Sequence, residues 1–516
     1  MISLKDDTIK KRAFGAFLSV MVSYFIPSML QASVGTAMPQ ILNDIGGMSM
    51  YWWVFDAFTL SMALVIPIFG KLSDIFGRKY LYITGLVIFI VASFFGGISH
   101  NIYWLIGASA AQGVGGGAIL AIGPAIIGDY FPSKERGKYQ GFVGGVLAVA
   151  SVLGPLLSGY LVGTVGWRWV FFINIPIGLG AILMDFIFLS KTSPNTDKNA
   201  TIDYRGITTL SVMLFSMLLG FTYVSIDNTW FERQTLALFF LSAIFFFIFY
   251  RVEHRQKNPV IDFKLFGNEV FSIFNILSFL TEFAMYGSFI YIPLFVEAVQ
   301  GKTALNTGVI LAPMMLSAIL TSIISGIYFS KTGKYKLITI TGIILMAYGL
   351  YRMSYLTPSS SDMTLYIDMI IVGLGMGLEL SIPFSVLQGV VSKKELGVAL
   401  SSERFFNSVG GVVGAAVIGT VVNTYYEDKI STLPKILNYV MPKEFLQWMN
   451  NPQLLMEKQR IISSSPIFAR STLESLLNEM TNWFSQAINN AFFIAFLVMA
   501  SAAVVAIFLK RVKITN

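Results

Sequence analysis

The sequence has little charge and no thiol chemistry. Cysteine is absent from its 516 residues, which excludes disulfide bonds and thiolate metal sites. Its two histidines, His100 and His254, lie far apart in the chain, which argues against a histidine metal cluster. Charged residues make up 12% of the chain, against about 25% in a soluble domain. A soluble protein is therefore excluded, and we expect no metal site and no cofactor.

The chain is rich in apolar residues instead, which make up 55% of it, with 44 phenylalanines and 45 glycines. A membrane span needs about 20 consecutive apolar residues. Fourteen runs approach or reach that length, of which 235–250 is the shortest, so the sequence predicts an all-α integral membrane protein with fourteen spans. The predicted spans are 14–38, 52–69, 80–98, 103–127, 139–163, 169–189, 206–226, 235–250, 270–296, 305–329, 337–356, 365–388, 398–425 and 491–509.

The distribution of lysine and arginine predicts the orientation. With the N-terminus inside, the inner loops and both tails hold 25 of the 36 basic residues, and the short outer loops hold four. This asymmetry predicts that both termini are cytoplasmic. The net charge of +8 is then a topology signal, and we expect no nucleic-acid partner.

One predicted outer segment, 426–490, is long. Within it Leu473, Leu476, Leu477, Met480 and Phe484 follow helical spacing. The pattern predicts an amphipathic helix that lies on the membrane face or on the protein.

A short polar turn separates the second and third predicted spans, in the stretch FGKLSDIFGRKYLYITG. Asp74 and Arg78 are four residues apart and can pair on one helical turn. Gly70 and Gly77 allow close packing against a neighbour, and an acidic side chain here can dock on the positive end of another helix. With Lys79, these residues predict a cytoplasmic latch between helices. A simple cluster of charges that stops membrane insertion is the alternative.

A similar glycine-bracketed turn occurs 256 residues later. Gly326 and Gly333 repeat the spacing of the first glycine pair, and Ser330 stands where the first copy has Asp74. A repeated turn in two halves of a polytopic chain is typical of transporters in which two helical bundles move about a central site.

The stretch GKLSDIFGRK resembles the loop between helices 2 and 3 of the major facilitator superfamily. Further along, GGVLAVASVLGPLLSGYL is similar to the fifth-helix signature of the antiporters of that superfamily. It contains Gly145, Gly154, Pro155 and Gly159, with Ser158 in place of one glycine. In the family this pattern implies export.

Three more stretches, WRWVFFINIPIG, VGTAMPQI and WVFDAFTL, resemble the fourteen-span drug:proton antiporter branch of the superfamily, the EmrB/QacA-like multidrug exporters. The resemblance implies two six-helix bundles, 1–190 and 270–516, and a linker, 191–269, with two additional spans. It also implies a location in the plasma membrane of a prokaryote.

The sequence departs from the family pattern at a commonly charged pair. Leu30 stands at the usual acidic position of the first span, Ala32 at the usual threonine, and Ser109 at the usual arginine of the fourth span. Loss of both charges leaves no unpaired buried ion, so the fold is preserved. The usual route of proton coupling is thereby put in question.

Three acidic residues within other spans are the candidates for proton coupling or substrate binding: Glu282, Glu379 and Asp56. An ionised carboxylate in the membrane centre costs at least about 2.5–3.5 kcal/mol. Neither glutamate has a lysine or arginine in its own core stretch, so burial favours the neutral form. The alternative for each glutamate is a protonated, hydrogen-bonded structural residue. Asp185 and Asp368 lie near span ends, where we expect hydration.

These features predict a secondary transporter that exports amphipathic or lipophilic, in part cationic, compounds in exchange for protons. Export of an endogenous lipid or metabolite, with atypical or no proton coupling, is the alternative. The chain shows no nucleophile constellation, phosphate-binding loop or soluble signalling domain, which argues against a membrane enzyme or receptor. We expect a monomer in the lipid bilayer.

Overall fold

The structure is a computed structural model, and it describes residues 7–47, 50–190, 203–227, 230–256, 259–392, 395–436, 455 and 470–510. The regular elements in these residues are helices. In chain order they are α1 (Asp7–Ile45), α2 (Tyr51–Phe76), α3 (Arg78–Gly97), α4 (Ile102–Tyr130), α5 (Ser133–Thr164), α6 (Trp169–Phe172), α7 (Asn174–Phe188), α8 (Tyr204–Asp227), α9 (Arg233–Glu253), α10 (Glu269–Phe289), α11 (Tyr291–Leu294), α12 (Ala304–Thr332), α13 (Tyr335–Met353), α14 (Asp362–Leu380), α15 (Ile382–Val390), α16 (Leu396–Ile436) and α17 (Arg470–Ile507).

Within the described residues, fourteen stretches of helix are long and apolar enough to cross a membrane, which confirms the predicted all-α membrane architecture. Three of these spans are interrupted: α6 and α7 form the sixth, α10 and α11 with a π-helical turn form the ninth, and α14 and α15 form the twelfth. Pro383 follows the break between α14 and α15. A proline has no backbone N–H to donate to the preceding helical turn, which explains an interruption there.

Two hydrophobic clusters form the interior. The first combines residues between Ala13 and Ile261 with Phe405 and Val409 of α16. The second consists of residues between Leu265 and Leu509 together with Ala125 of α4. Ala125, Phe405 and Val409 thus each belong to the cluster of the opposite half, because α4 and α16 pack against each other there.

The two additional helices, α8 and α9, pack against each other, and α8 also contacts both α2 and α16. The Ser242 hydroxyl donates to the Met213 carbonyl at 3.0 Å, which links the pair. The Trp230 indole donates to the Thr420 hydroxyl of α16 at 2.8 Å.

The predicted bounds of the last two spans are too short. Helix α16 continues past residue 425 to Ile436, and α17 begins at Arg470, well before the predicted start at residue 491. The predicted amphipathic segment is therefore the first part of α17, and it packs on protein. The rings of Tyr426 and Phe484 lie 5.4 Å apart, and Leu476 and Met480 are buried. The remainder of the predicted outer segment, 437–454 and 456–469, lies outside the described residues.

Candidate transport site and inter-bundle contacts

The turn predicted as a latch lies between α2 and α3. Gly77 joins the two helices with φ 88° and ψ 148°, a backbone region that is essentially restricted to glycine. At the corresponding turn between α12 and α13, Gly333 has φ 65° and ψ 5°, which is an ordinary left-handed helix cap. We call the end of the molecule that holds these two glycines the basic end.

Asp74, on the last turn of α2, binds the start of α16. Its side chain is 8% exposed, and its carboxylate accepts hydrogen bonds from the backbone N–H groups of Gly397 and Val398, both at 3.2 Å. The first four N–H groups of a helix have no partner within it and carry partial positive charge. A Cβ on Gly70 would collide with Ser401, so glycine is required for this approach.

Arg78 and Lys79 act within the first half of the chain. The Arg78 guanidinium lies 3.4 Å from Asp74 and 2.7 Å from Asp129 of α4. The Lys79 ammonium donates to two carbonyl groups at the end of α7, at 2.8 and 2.7 Å. Arg78 therefore orients the Asp74 carboxylate, whereas Lys79 caps α7 and does not bind the second half.

The second glycine-bracketed turn, at the end of α12, makes a corresponding contact with α5. A Cβ on Gly137 would lie 2.8 Å from the Gly326 carbonyl oxygen, so the two backbones are nearly in contact. Ser330 accepts a hydrogen bond from the backbone N–H of Lys138 at 3.1 Å. The two glycine-bracketed turns thus bind the early turns of α16 and α5 respectively.

Further hydrogen bonds join the halves at the basic end. The Arg136 guanidinium of α5 donates to the Gln388 carbonyl of α15 at 3.1 Å. The Gln388 amide donates to the Pro124 carbonyl of α4 at 2.8 Å. These buried contacts close the basic end between the two halves.

A cavity of about 220 Å³ lies between α1, α2, α4 and α10. It is smaller than the roughly 300–1,000 Å³ typical of sites for drug-sized ligands, so such a ligand requires a wider conformation. Leu30 and Ser109, the two uncharged residues at the usually charged positions, both line it. The lining residues are Leu30, Gln31, Val34, Val54, Phe55, Phe58, Thr59, Ser109, Gln112 and Tyr286.

Glu282 lies one helical turn from the cavity residue Tyr286 on α10. Its carboxylate accepts a hydrogen bond from the Asn407 amide of α16 at 3.1 Å, and the Arg404 guanidinium acts on it electrostatically. The absence of a basic residue from its own span was therefore misleading, because α16 supplies the cation. Asp56 of α2 is half-buried and interacts electrostatically with Tyr286.

Glu379 of α14 is buried, and within the described residues its Oε1 has no hydrogen-bond partner. A Cβ on Gly342 of α13 would lie 3.2 Å from that oxygen. Glu379 also interacts electrostatically with Glu403 of α16. Glu403 thus interacts electrostatically with both Glu282 and Glu379, and Arg404 with Glu282 and Glu403.

Glu403, Asn407 and the position of Arg404 near these acids are not predicted from the sequence. The stretch SSERFFNSVGG contains the signal, since Glu403 is an acidic residue within a predicted span. Glu403 is 3% exposed, and it accepts a hydrogen bond from the Ser278 hydroxyl of α10 at 2.7 Å.

Two other acidic residues are not hydrated as expected. Asp368 is completely buried and accepts a hydrogen bond from Arg352 at 2.6 Å. Asp185 is also completely buried and is hydrogen-bonded to the Ser19 hydroxyl. Closure of neighbouring helices over the span ends buries both, which sequence position alone does not reveal.

The glycines of the predicted antiporter signature differ in their packing. A Cβ on Gly154 of α5 would lie 2.8 Å from the Met29 carbonyl oxygen of α1, and Ser158 donates to the Ser33 carbonyl at 2.8 Å. Pro155 lies inside α5 and supplies no backbone donor. Space for a Cβ exists at Gly145 and Gly159, whose nearest neighbours would be Ile319 at 3.6 Å and Thr36 at 3.9 Å. Close α1–α5 packing therefore centres on Gly154.

Fourteen candidate spans in the described residues, two halves with equivalent turns and a cavity between α1, α2, α4 and α10 define a polytopic transporter. The family model described as Major Facilitator Superfamily matches residues 16–415. Multidrug transporter protein MdtP of Bacillus subtilis is 34% identical over 96% of this chain and 93% of that protein. Multidrug resistance protein 3 of the same organism is 31% identical over 99% of this chain and 98% of that protein.

A crystal structure of the human organic anion transporter MFSD10 (TETRAN) matches with a TM-score of 0.61 and 13% identity, over 94% of this chain and 99% of that chain. At this identity the likeness concerns the fold alone. The chain belongs to the major facilitator superfamily. It is a multi-pass membrane transporter and not an enzyme, and its bacterial relatives support a plasma-membrane location.

Proposed function

We propose that this protein exports amphipathic, lipophilic and in part cationic compounds from the cytoplasm in exchange for protons. The observation that carries the proposal is the position of Glu282. It lies one turn from Tyr286, the residue through which α10 reaches a cavity otherwise lined by α1, α2 and α4. A carboxylate beside a cavity lined by aliphatic, aromatic and uncharged polar side chains suits either a lipophilic cation or a proton.

Alternating access uses two bundles, 1–190 and 270–516, joined by the linker 191–269. Both termini are cytoplasmic in this scheme, so the basic end faces the cytoplasm. Asp74, held by Gly70, Gly77 and Arg78, binds α16 and stabilises the conformation that is closed to the cytoplasm. Opening breaks these bonds, and the α1–α5 contact at Gly154 keeps the first bundle rigid while the bundles rock.

Coupling requires that proton and substrate compete for the same carboxylates. Glu379 is buried, Glu282 is half-buried one turn from the cavity residue Tyr286, and Asp56 interacts electrostatically with Tyr286. Substrate cation binding displaces protons from these groups, and reprotonation from the opposite end releases the substrate. A monomer contains all these groups, so no second copy is required.

A dye-efflux assay with ethidium tests the proposal in cells and in liposomes. Glu282→Gln and Glu379→Gln each keep the shape of the side chain and remove its titration, so we expect export to fall by about tenfold or more. An imposed pH gradient should drive ethidium transport by the wild-type protein in liposomes. Gradient-independent transport, unchanged in both variants, would contradict proton exchange.

Export of an uncharged lipid or metabolite without proton coupling is a second candidate. It is favoured by Leu30 and Ser109, which leave the cavity wall uncharged at two positions where the family is commonly charged. A fluorescent phospholipid offered in the same liposomes separates the candidates, since its movement without a pH gradient would favour this one.

A further inference from the structure

We propose that the seam between α10 and α16 carries the exchanged proton, and that Glu403 is the inner of its two carboxylates. The proposal rests on the proton exchange proposed above and assigns it a path. It adds Glu403 as a proton-carrying residue and Ser278 as the residue that positions it.

Two hydrogen-bonded rungs join the helices, one turn apart. Ser278 donates to Glu403 Oε1 at 2.7 Å, and Asn407 donates to Glu282 Oε2 at 3.1 Å. Ser278 and Glu282 are four residues apart on α10, as are Glu403 and Asn407 on α16, so each pair occupies one helix face. Tyr286 continues the face of α10 to the cavity.

Close backbone packing fixes the two rungs in register. A Cβ on Gly410 of α16 would collide with the Phe279 carbonyl of α10, and a Cβ on Gly414 would collide with the Phe283 carbonyl. The helices thus approach more closely than any side chain permits, just beyond the rungs. The donors and acceptors are held in place before any proton arrives, which favours transfer between fixed groups.

Arg404 places one cation near these acids. Its guanidinium lies 4.6 Å from the centre of the Phe384 ring and acts electrostatically on Glu282 and Glu403, while Glu403 acts on Glu379. Tyr24 of α1 faces the same group from the other half. One cation acts on two carboxyl groups here and offsets one negative charge, so we expect a bound proton to offset the other.

Glu403 has a free oxygen for the proton. Within the described residues, its Oε2 has no hydrogen-bond partner, while Oε1 accepts from Ser278. In the proposed step a proton from the cavity side binds Glu282, passes to Glu403 Oε2, and leaves toward the basic end when the halves separate there. No covalent bond other than O–H is made or broken. Separation of α16 from α1 also removes Glu403 from Tyr24 and admits water.

The test measures coupling and substrate movement separately, with the full chain in liposomes of phosphatidylethanolamine and phosphatidylglycerol. Exchange of external for internal ethidium needs no net proton transfer, whereas ethidium-dependent acidification of internal pyranine does. We expect Glu403→Gln to reduce proton movement by about tenfold or more and to leave exchange within about twofold of wild type.

A matched control exists at the far end of the span that contains α10. Glu297 accepts a hydrogen bond from the Thr307 hydroxyl at 3.0 Å, outside the seam, so Glu297→Gln should change neither measurement. Equal loss of exchange and proton movement in Glu403→Gln would identify a structural role and overturn the inference, as would normal coupling. A wild-type protein that moves ethidium without protons would instead overturn the proposed function.

Ser278→Ala provides an independent arm. The variant removes the hydroxyl that donates to Glu403, so the pH of half-maximal proton movement should rise, and Ser278→Thr should keep the wild-type profile. Ser288→Ala is the control and should leave the pH profile unchanged. Ser288 is also buried on α10, but its hydroxyl donates to carbonyls of its own helix. A pH profile of Ser278→Ala that matches wild type would contradict the role of the seam.

Discussion

The two glycine-bracketed turns occupy equivalent positions in the two halves, yet they bind the opposite half with different chemistry. Asp74 presents a carboxylate to Gly397 and Val398, the second and third residues of α16. Ser330 presents a hydroxyl to Lys138, the sixth residue of α5. The N–H groups that Asp74 binds have no partner within their helix, whereas the helical ladder already offers a carbonyl to Lys138.

This difference makes one contact strong and the other weak. A hydrogen bond that involves a charged group contributes about 1.5–3 kcal/mol, against about 0.5–1.5 kcal/mol for a neutral one. The Asp74 contact is also favoured by the positive end of α16. We infer that the α2–α16 side controls opening at the basic end and that the α5–α12 side acts mainly as a close-packed pivot.

The largest expected effect is that of Asp74→Asn, which keeps the shape of the side chain and removes its charge. Loss of about 1.5–3 kcal/mol from the closed conformation shifts the equilibrium toward opening by about ten- to a hundredfold. The chain has no cysteine, so Ser385→Cys, at a buried position of α15, gives a single labelling site. Its reaction with a maleimide applied from the basic end should accelerate, and ethidium turnover should fall.

Ethidium binding provides the control for this variant. Because Asp74 lies outside the cavity, the equilibrium affinity of Asp74→Asn at the cavity should stay within about threefold of wild type. Unchanged labelling and turnover in Asp74→Asn would refute its role in controlling opening.

The turn glycines are expected to differ next. Gly77→Asn forces a side chain into a backbone region nearly exclusive to glycine and should cost about 1–3 kcal/mol. Gly333→Asn places asparagine in a left-handed cap that this residue tolerates, so its cost should be less than about 1 kcal/mol. Thermal unfolding in detergent measures both. A transition temperature lowered equally by the two substitutions would contradict the distinction between the turns.

The spans and the Asp74 contact can be predicted from the sequence, because they depend on local spacing. Fourteen apolar runs predict fourteen spans, and the glycine spacing around Asp74 predicts a contact with a helix start. The ends of α16 and α17 are not predicted, since their extensions are stabilised by Tyr426 and Phe484 against each other. Hydropathy detects burial in lipid but not burial in protein.

The candidate site is harder to predict from the sequence, because its charged residues are brought together only by tertiary packing. Glu282 has no basic neighbour in its own span, and Arg404 reaches it from another helix about 120 residues away in sequence. The same packing buries Asp368 against Arg352. Whether a buried acid is paired therefore depends on which helices are adjacent, and a single sequence does not specify that adjacency.

The smallest effect should come from Ser330→Ala on the α5–α12 side. The variant loses one neutral hydrogen bond from the backbone N–H of Lys138 and one to the Gly326 carbonyl within α12. The close Gly137–Gly326 backbone approach, which dominates this contact, is unchanged. We expect a loss of about 0.5–1.5 kcal/mol, which converts to a change in the maleimide reaction rate at Ser385→Cys of about two- to twelvefold. Ser151→Ala, which removes an exposed hydroxyl bonded within α5, is the control. If Ser330→Ala changed the maleimide reaction rate as much as Asp74→Asn does, the α2–α16 and α5–α12 contacts would control opening equally. The Ser330 hydroxyl would then contribute more than its own hydrogen bonds account for.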